Sequence, residues 1–527
     1  MCKEGLRKYK ITWARRENVS TSVFSEWENA VLKKINDRIS KLSKSYTKSS
    51  VAKKTLTCPK IKKFLADLHD KYVIAPADKA SNNIIFICKS YYRQIINEEL
   101  GSTSTYAKCT VEPQQLIRKH IDFLKLENLE PKPDWCNLPS FYWMPKLHKN
   151  PYSYRFIAAS HKCTTKPLSR FLNSALRLIL KHFREYCLGI YRNTGVNAFW
   201  IVENSLEVLD SLRSIPTRKA QLASFDFSTL YTAIPHNLLK DKITNLIHSA
   251  YTCRKSQYIE VCQDKAFWSN NVSNKAVTAV HLVELFNYLI DNIYVCVDGS
   301  VFKQCVGIPM GTDCAPVVAN LFLFAYEYEF MKGLLKDNIT LAIKFSNTYR
   351  YIDDLLCINN KDFELSISDI YPKELILKKT NTSPKKSPFL DLDITITNNQ
   401  FITKVYDKRE DFNFDIVNFP HLDSNIPNTP AYGVFISQLI RYSRICSDFS
   451  SFQAKSLQLC SRLIKQGYKY FKLKSTFKTF LSRQPLVRIK YKQKVASMLK
   501  DCLVLPHIVL PHLQRNVTTR RPKGRLT

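Results

Sequence analysis

Two adjacent aspartates interrupt an otherwise apolar, strand-like run in "RYIDDLL", Arg350 to Leu356. Neighbouring strand residues point to opposite faces of a sheet, so the pair cannot simply form a solvated charged face. An ionised carboxylate in apolar surroundings is costly unless something positive meets it. Any fold of this chain must therefore bring a counter-charge to Asp353 and Asp354. In "LASFDFSTLYTAIPH" a second β-type run delivers a third acid, Asp226, between two phenylalanines. Carboxylates brought together raise one another's pKa. Divalent cations resolve that conflict, and Mg²⁺ prefers a few carboxylates plus substrate phosphate oxygens. Two such ions about 3.5–4 Å apart clamp the attacking and leaving oxygens of a phosphoryl transfer.

A glycine-containing segment points the same way. "YVCVDGSVFKQCVGIPMGTDCAP" reads as a hairpin with an Asp-Gly turn, followed by a loop at Gly307, Met310 and Gly311. The chain has 11 glycines in 527 residues, and three of them (Gly299, Gly307, Gly311) fall in this stretch. Glycine lets a backbone approach a ligand closely.

The charge balance narrows the partner. Lys and Arg number 79 against 45 Asp and Glu, a formal net charge of +34, so nucleic acid is the first candidate. The charge is spread along the chain rather than massed beside an apolar segment, which disfavours a membrane surface. The longest apolar stretch, "VVANLFLFAYEYEF", is interrupted by Asn320 and Glu327 and is too short to span a bilayer. The start, "MCKEGLRKYK", has no signal-peptide core. The 16 cysteines lie singly with no CxxC, which excludes a zinc ribbon or small disulfide scaffold and fits reduced thiols in cytosol or nucleus. Cys502, His507 and His512 offer three metal ligands, with no evident fourth.

Length calls for several domains. Residues 1–70 read as a basic, mostly helical N-terminal extension broken by the linker "SKLSKSYTKSS". Residues 71–135 open with strand, polar turn, strand in "YVIAPADKASNNIIFICK". Residues 136–400 mix short β-type runs with helices, an α+β body. Residues 401–500 turn helical from about Phe435, and residues 501–527 form a basic tail.

"FDFSTLY", "QCVGIPMGTDCAPVVANLFLF" and "YIDD", in that order, resemble the palm motifs of reverse transcriptases. The wording is most similar to Penelope-like retroelement proteins. "PADKASNN", "LPSFYWMPKLHKNPYSYRFIAAS", "FLDLDI", "VYDKREDFNF", "SNIP" and "SQLIRYSRICS" extend the match over residues 70 to 500. The resemblance implies a right-hand polymerase with fingers, palm and a helical thumb. It implies two Mg²⁺ ions (Mn²⁺ as an alternative), an RNA template, a DNA primer and dNTPs, and work in the nucleus.

Carried onto this sequence, Asp226 and Asp353 match the metal-binding aspartates, with the Phe227 carbonyl as a backbone ligand and Asp354 completing the acidic pair. Tyr231 occupies the steric-gate position against a ribose 2′-OH. Lys146 and Arg155 match the fingers residues that hold the triphosphate. Met310, with Gly311, lies at the nucleotide sugar, where many reverse transcriptases have Gln, and Gln304 lies near the template. Lys379 takes the position of the lysine that protonates leaving pyrophosphate, with Lys378 beside it as the competing choice. Ile352 lies against the primer end. Asp391 and Asp393, alternating in "FLDLDI", are structural. Arg441, Arg444 and Lys465 suit thumb helices gripping duplex phosphates.

Many Penelope-like proteins carry a GIY-YIG endonuclease after the polymerase. This sequence reaches Thr527 without one, so it resembles an endonuclease-lacking or truncated member. Gly189-Ile190-Tyr191 is a decoy before the palm, and the family's "DKG" reads "DKA" at Asp78–Ala80. The competing expectations are a catalytically silent, element-derived nucleic-acid-binding protein and a telomerase-like polymerase subunit.

Overall fold

The computed structural model describes residues 21–45 and 58–492, apart from 103, 263, 264, 275, 415, 417, 418 and 425, together with 495 and 498. The Cys502, His507 and His512 trio and the basic tail lie outside the described residues, as does the second half of the expected Ser/Lys linker. The first half of that linker continues the helix Thr21–Ser45. The chain divides into two compact units, residues 1–74 with 86–89, and residues 75–85 with 90–527. In the first, a second helix, Pro59–Lys71, begins on a proline and buries no side chain. Proline suits that position because its missing N–H would have no partner there.

The described strands form five sheets. Strands β1 (Tyr72–Ala77) and β2 (Ala80–Cys88) form a ribbon around the turn Asp78-Lys79. Strands β3 (Tyr106–Cys109), β4 (Ser140–Lys146) and β5 (Ser153–Ala159) share a five-stranded sheet with the hairpin β10 (Tyr294–Val297) and β11 (Ser300–Gln304). That hairpin turns at Asp298 and Gly299, both with positive φ, as the Asp-Gly signal requires. Four strands, β6 (Leu222–Ser228), β12 (Thr348–Tyr351), β13 (Asp354–Ile358) and β14 (Ile376–Lys379), make the central sheet in the order β12-β13-β6-β14. Strands β7 (Tyr258–Cys262), β8 (Lys265–Ser269) and β9 (Ala276–Val277) form a small sheet, and β15 (Lys386–Phe389), β16 (Leu392–Thr397) and β17 (Gln400–Val405) form another.

The central sheet is covered on both faces, which is why β13 reads as the unbroken apolar run Leu355 to Ile358. Leu355 and Cys357 join Phe225 and Phe227 in a core made with the helices Lys166–Thr194, His236–Arg254, Ala279–Asp291 and Ala315–Asp337. Leu356 and Ile358 join Leu222 in a second core with β15–β17 and the C-terminal helices. The first turns of the helix Ala315–Asp337 are apolar on every side, Asn320 and Glu327 apart, because they are surrounded. Among the described residues no helix is long and apolar enough to cross a membrane. Gly189-Ile190-Tyr191 lies inside the helix Lys166–Thr194, which ends on the left-handed Gly195. The first C-terminal helix starts at Asn428, ahead of the expected Phe435. The boundary expected after residue 400 falls in β17, whose pairing with β16 keeps that sheet whole.

Candidate active site

The two acids of "RYIDDLL" are not inside one strand. Strand β12 ends at Tyr351, Ile352 and Asp353 form a two-residue turn, and β13 starts at Asp354. The apolar run is a hairpin, and its tip holds the charge. Ile352 has φ 54°, left-handed backbone that a β-branched residue adopts at a cost of about 1–2 kcal/mol. Two hydrogen bonds hold the tip there. Arg350 Nη1 donates to the Ile352 carbonyl at 3.2 Å, and the Phe227 N–H donates to the Asp353 carbonyl at 3.1 Å.

Register then lines up the chemistry. Asp354 in β13 sits opposite Asp226 in β6, and Asp226 sits opposite Lys378 in β14. Directly paired residues share a face, so these three side chains form a row across the sheet, beside the tip that carries Asp353. Burial raises the Asp226 carboxyl to about 6, with Asp353 and Asp354 adding repulsion. Burial also raises Asp354; Asp353 adds to this, while Lys408, Lys79 and Lys149 oppose it. Lys408 Nζ stands 4.0 Å from Asp354 Oδ2.

The raised Asp226 has a measurable consequence. Its folded pKa exceeds the unfolded 3.8, so its contribution to stability is fully present below about pH 3.8 and is lost as pH rises through about 6. Asp226→Asn cannot lose that proton. Without divalent cation, the variant is expected to gain about 1 kcal/mol over wild type at pH 8 and nothing at pH 3.5. That figure is already discounted for the solvent around a half-exposed group. Calorimetric unfolding at the two pH values checks the sign.

Tyr231 lies in the short helix Leu230–Ala233 just after β6. Its hydroxyl is pushed up to about 12 by burial, then by Asp353 and Tyr351, so the ring borders the acids. The glycine loop is tied to this turn: the Gly307 N–H donates to the Ile234 carbonyl at 2.7 Å, and the Ile308 N–H to the Tyr231 carbonyl at 2.6 Å. Gly307 has φ +90°, and a Cβ there would overlap the Tyr231 carbonyl oxygen. At the other end Ala158 N–H donates to the Met310 carbonyl at 2.8 Å, and a Cβ on Gly311 (φ +120°) would overlap the Ala158 carbonyl oxygen. Both glycines are required by close backbone approach. The loop thus joins the Tyr231 turn to β5, the strand that carries Arg155.

Arg155 Nε lies 3.2 Å from Oδ1 of Asp78, a buried acid on the β1–β2 turn whose own N–H donates to the Pro145 carbonyl. The Lys146 ammonium is pushed down by burial, then by Arg155, while Asp78 and Asp226 pull it back up. Lys146, Arg155 and Asp226 therefore share one electrostatic field.

Three expected site residues are placed differently. Lys379 pairs in register with Phe225, not with an acid, so it points to the opposite face of β14. There its Nζ meets Glu364 Oε2 at 2.6 Å and it lines a cavity of about 280 Å³ with Phe225 and Asn381. Lys378 is the lysine on the acidic face. Gln304 is fully buried, and its amide donates to the Val306 carbonyl at 3.0 Å, bracing the glycine loop instead of facing a template. Arg441 is held by Asp391 at 2.8 Å, whereas Arg444 and Lys465 are exposed on their helices. Asp391 itself lies in the β15–β16 turn, not on a strand, and only Asp393 is in β16, between Lys386 and Lys404. Lys408, Lys149, Lys79 and Asp78 are additions to the site. Their segments carry several charges at close spacing, and nothing in that pattern singles out the side chain that faces the acids.

Among the described residues no three His, Cys, Asp or Glu side chains close into a preformed metal cage. Asp226, Asp353 and Asp354 are an open, all-oxygen set whose mutual repulsion a cation would relieve. Such a set fits Mg²⁺, which keeps positions for substrate oxygens and needs no closed cage.

No family model matches the chain, and no curated protein matches it. Solved structures do. The telomerase of Candida albicans in complex with a TWJ fragment of telomeric RNA is 13% identical, covering 84% of this chain and 72% of that one, with a TM-score of 0.56. Apo telomerase from Candida tropicalis is 13% identical over 83% of this chain and 74% of its own, with a TM-score of 0.45. The RNA-dependent RNA polymerase of a human picorbirnavirus is 10% identical over 89% and 87%, with a TM-score of 0.38. The first match shows the fold: an α+β, right-hand polymerase architecture.

Proposed function

We propose that this chain is an RNA-directed DNA polymerase of a Penelope-like retroelement, extending a DNA primer 3′-OH with dNTPs. One observation carries the reading: within a polymerase fold, strand register places Asp226 beside Asp354 and under the turn that presents Asp353. Residues 136–400 serve as fingers and palm and 401–500 as thumb, with 71–135 a family-specific module and 1–70 an extension.

Asp226, Asp353 and the Phe227 carbonyl would hold two Mg²⁺ ions, or Mn²⁺ in their place, with Asp354 at their flank. When bound, such ions lower the pKa of the primer hydroxyl and neutralise charge that develops on the α-phosphate. The other work falls to side chains. Lys146 and Arg155 grip the triphosphate, Arg155 as a fork that Asp78 holds in place and Lys146 as a point charge. Tyr231 crowds the ribose 2′ position, and Met310 with Gly311 floors the sugar. Ile352 meets the primer end, while Arg444 and Lys465 contact duplex phosphates. Primer extension with purified protein on RNA and on DNA templates tests the reading. Mg²⁺-dependent synthesis from the RNA template is expected.

In this reading Lys378 takes over from Lys379 the protonation of leaving pyrophosphate, supported by its sharing the face of Asp226. Lys378→Ala is expected to slow single-turnover incorporation about 10²-fold. Lys379→Ala should change it less than about threefold, since an exposed ion pair contributes little. Equal defects in the two variants would refute the assignment.

A telomerase-like subunit is the second reading, favoured by the fold match to a telomerase. It predicts that extension depends on one stably bound RNA, whereas the retroelement reading predicts copying of an added template.

A further inference from the structure

The helix Ala315–Asp337 is apolar around its first four turns except at Asn320 and Glu327. Seven residues are almost two full turns, so both point the same way. They point at Arg350, in the strand that leads to the catalytic turn. Glu327 and Arg350 are both fully buried. Arg350 uses all five of its N–H donors. Nε donates to Glu327 Oε1 and Nη2 to Glu327 Oε2. Nη1 donates to Asn320 Oδ1 at 2.8 Å, and Nη2 to the Asn320 carbonyl at 3.2 Å. The fifth bond goes to the Ile352 carbonyl, on the peptide that joins Ile352 to Asp353. Tyr371 completes the set, its hydroxyl donating to Glu327 Oε1 at 2.8 Å. The main chain of Arg350 is fixed as well, bonded to Trp200 O and Val202 N.

A buried ion pair is a poor device for stability, since apolar residues of similar volume often replace it at no cost. This one spends its last donor on a left-handed, β-branched residue immediately before an active-site acid. We propose that Glu327 and Arg350 are positioning residues that set the Ile352–Asp353 turn, and with it the reach of the Asp353 carboxylate. The inference rests on the proposed polymerase reading. The network touches no substrate. It acts by holding a strained peptide in one orientation, with Asn320 and Tyr371 orienting the guanidinium and the carboxylate.

The test uses the full chain as wild type, Asp353→Ala, the single variant Arg350→Lys and the double variant Glu327→Leu/Arg350→Met. The double variant removes the pair without stranding a charge. It is expected to unfold at or above the wild-type temperature and to bind primer–template within about twofold of wild type. Its single-turnover incorporation rate should fall about 10²-fold, the effect of misplacing a reacting group by about 1 Å. Its affinity for Mn²⁺, read by paramagnetic resonance without substrate, should fall in parallel. Arg350→Lys keeps the charge but cannot span Asn320, Glu327 and Ile352, so it should be impaired too. Wild-type rate and Mn²⁺ affinity in a stable double variant would overturn the inference, because the pair would then be dispensable. Failure of the double variant to fold would overturn it as well, because the pair would then hold the fold and not the turn. Absence of extension by wild type would instead count against the polymerase reading, and the Mn²⁺ arm would still decide the role of the pair.

Discussion

Asp353→Ala is expected to lower primer extension on an RNA template by at least about 10³-fold, with primer–template affinity unchanged within about twofold. The size follows from what the side chain supplies. A carboxylate that holds a cation against a transferring phosphoryl group is worth several kcal/mol of transition-state stabilisation, and each 1.4 kcal/mol or so is tenfold in rate. The selectivity follows from the hairpin. Alanine keeps the main chain of the turn, so Phe227 N–H still finds the residue 353 carbonyl and Arg350 still finds that of Ile352. In the proposed reading duplex binding falls to Arg444 and Lys465, so it should survive. Asp354→Ala should be milder, because Asp354 is the acid already approached by Lys408 and lies in the strand beyond the tip. Single-turnover extension and fluorescence anisotropy with labelled primer–template separate the two quantities. Undiminished extension by Asp353→Ala would remove the proposed catalytic centre, and a silent wild type would favour the nucleic-acid-binding alternative.

The acids themselves were legible because buried charge without a partner is a rare pattern that few folds can accommodate. Their geometry was less so. "RYIDDLL" reads as one strand because its flanks are apolar on both faces, yet it is a hairpin. No Gly or Asn marks its tip, since tertiary contacts from Arg350 and Phe227 impose the left-handed turn that a local signal would otherwise have to supply. Lys378 and Lys379 could not be separated by sequence, because facing depends on strand register and a slip of one residue exchanges the faces. Only the pairing of β14 with β6 decides it. Gln304 ends a strand beside the glycine loop, a position where sequence spacing fits solvent and core equally, and the structure buries it. Asn320 and Glu327 stood out as breaks in an apolar stretch, evidence against a membrane span. Their partner, Arg350, comes from a strand well beyond the helix, so the reason for the breaks appears only in the folded chain.

Tyr231→Ala is expected to reduce discrimination between a deoxynucleotide and its ribonucleotide by about 10²-fold, measured as the ratio of kcat/KM for dCTP and CTP on one template. A hydroxyl added to an otherwise matched substrate is rejected by shape alone, and steric rejection of one small group is of that order. The ring is well placed to supply it: it follows β6 by a short turn, its hydroxyl feels Asp353 and Tyr351, and it is half-buried against the helical core. The backbone beneath it is fixed independently of the side chain. The Tyr231 carbonyl accepts from Ile308 N–H, and Gly307 packs so closely on that carbonyl that any larger residue would collide. Truncating the ring therefore opens space without moving the turn, and dCTP itself should be used nearly as well as before. Tyr231→Phe separates shape from hydrogen bonding. It keeps the ring, so it should keep the discrimination; its loss in the phenylalanine variant would assign the selectivity to the hydroxyl instead. An unchanged ratio in Tyr231→Ala would place the ring in the core alone and move the choice of sugar to Met310 or to the Gly311 backbone, the groups that complete the same loop.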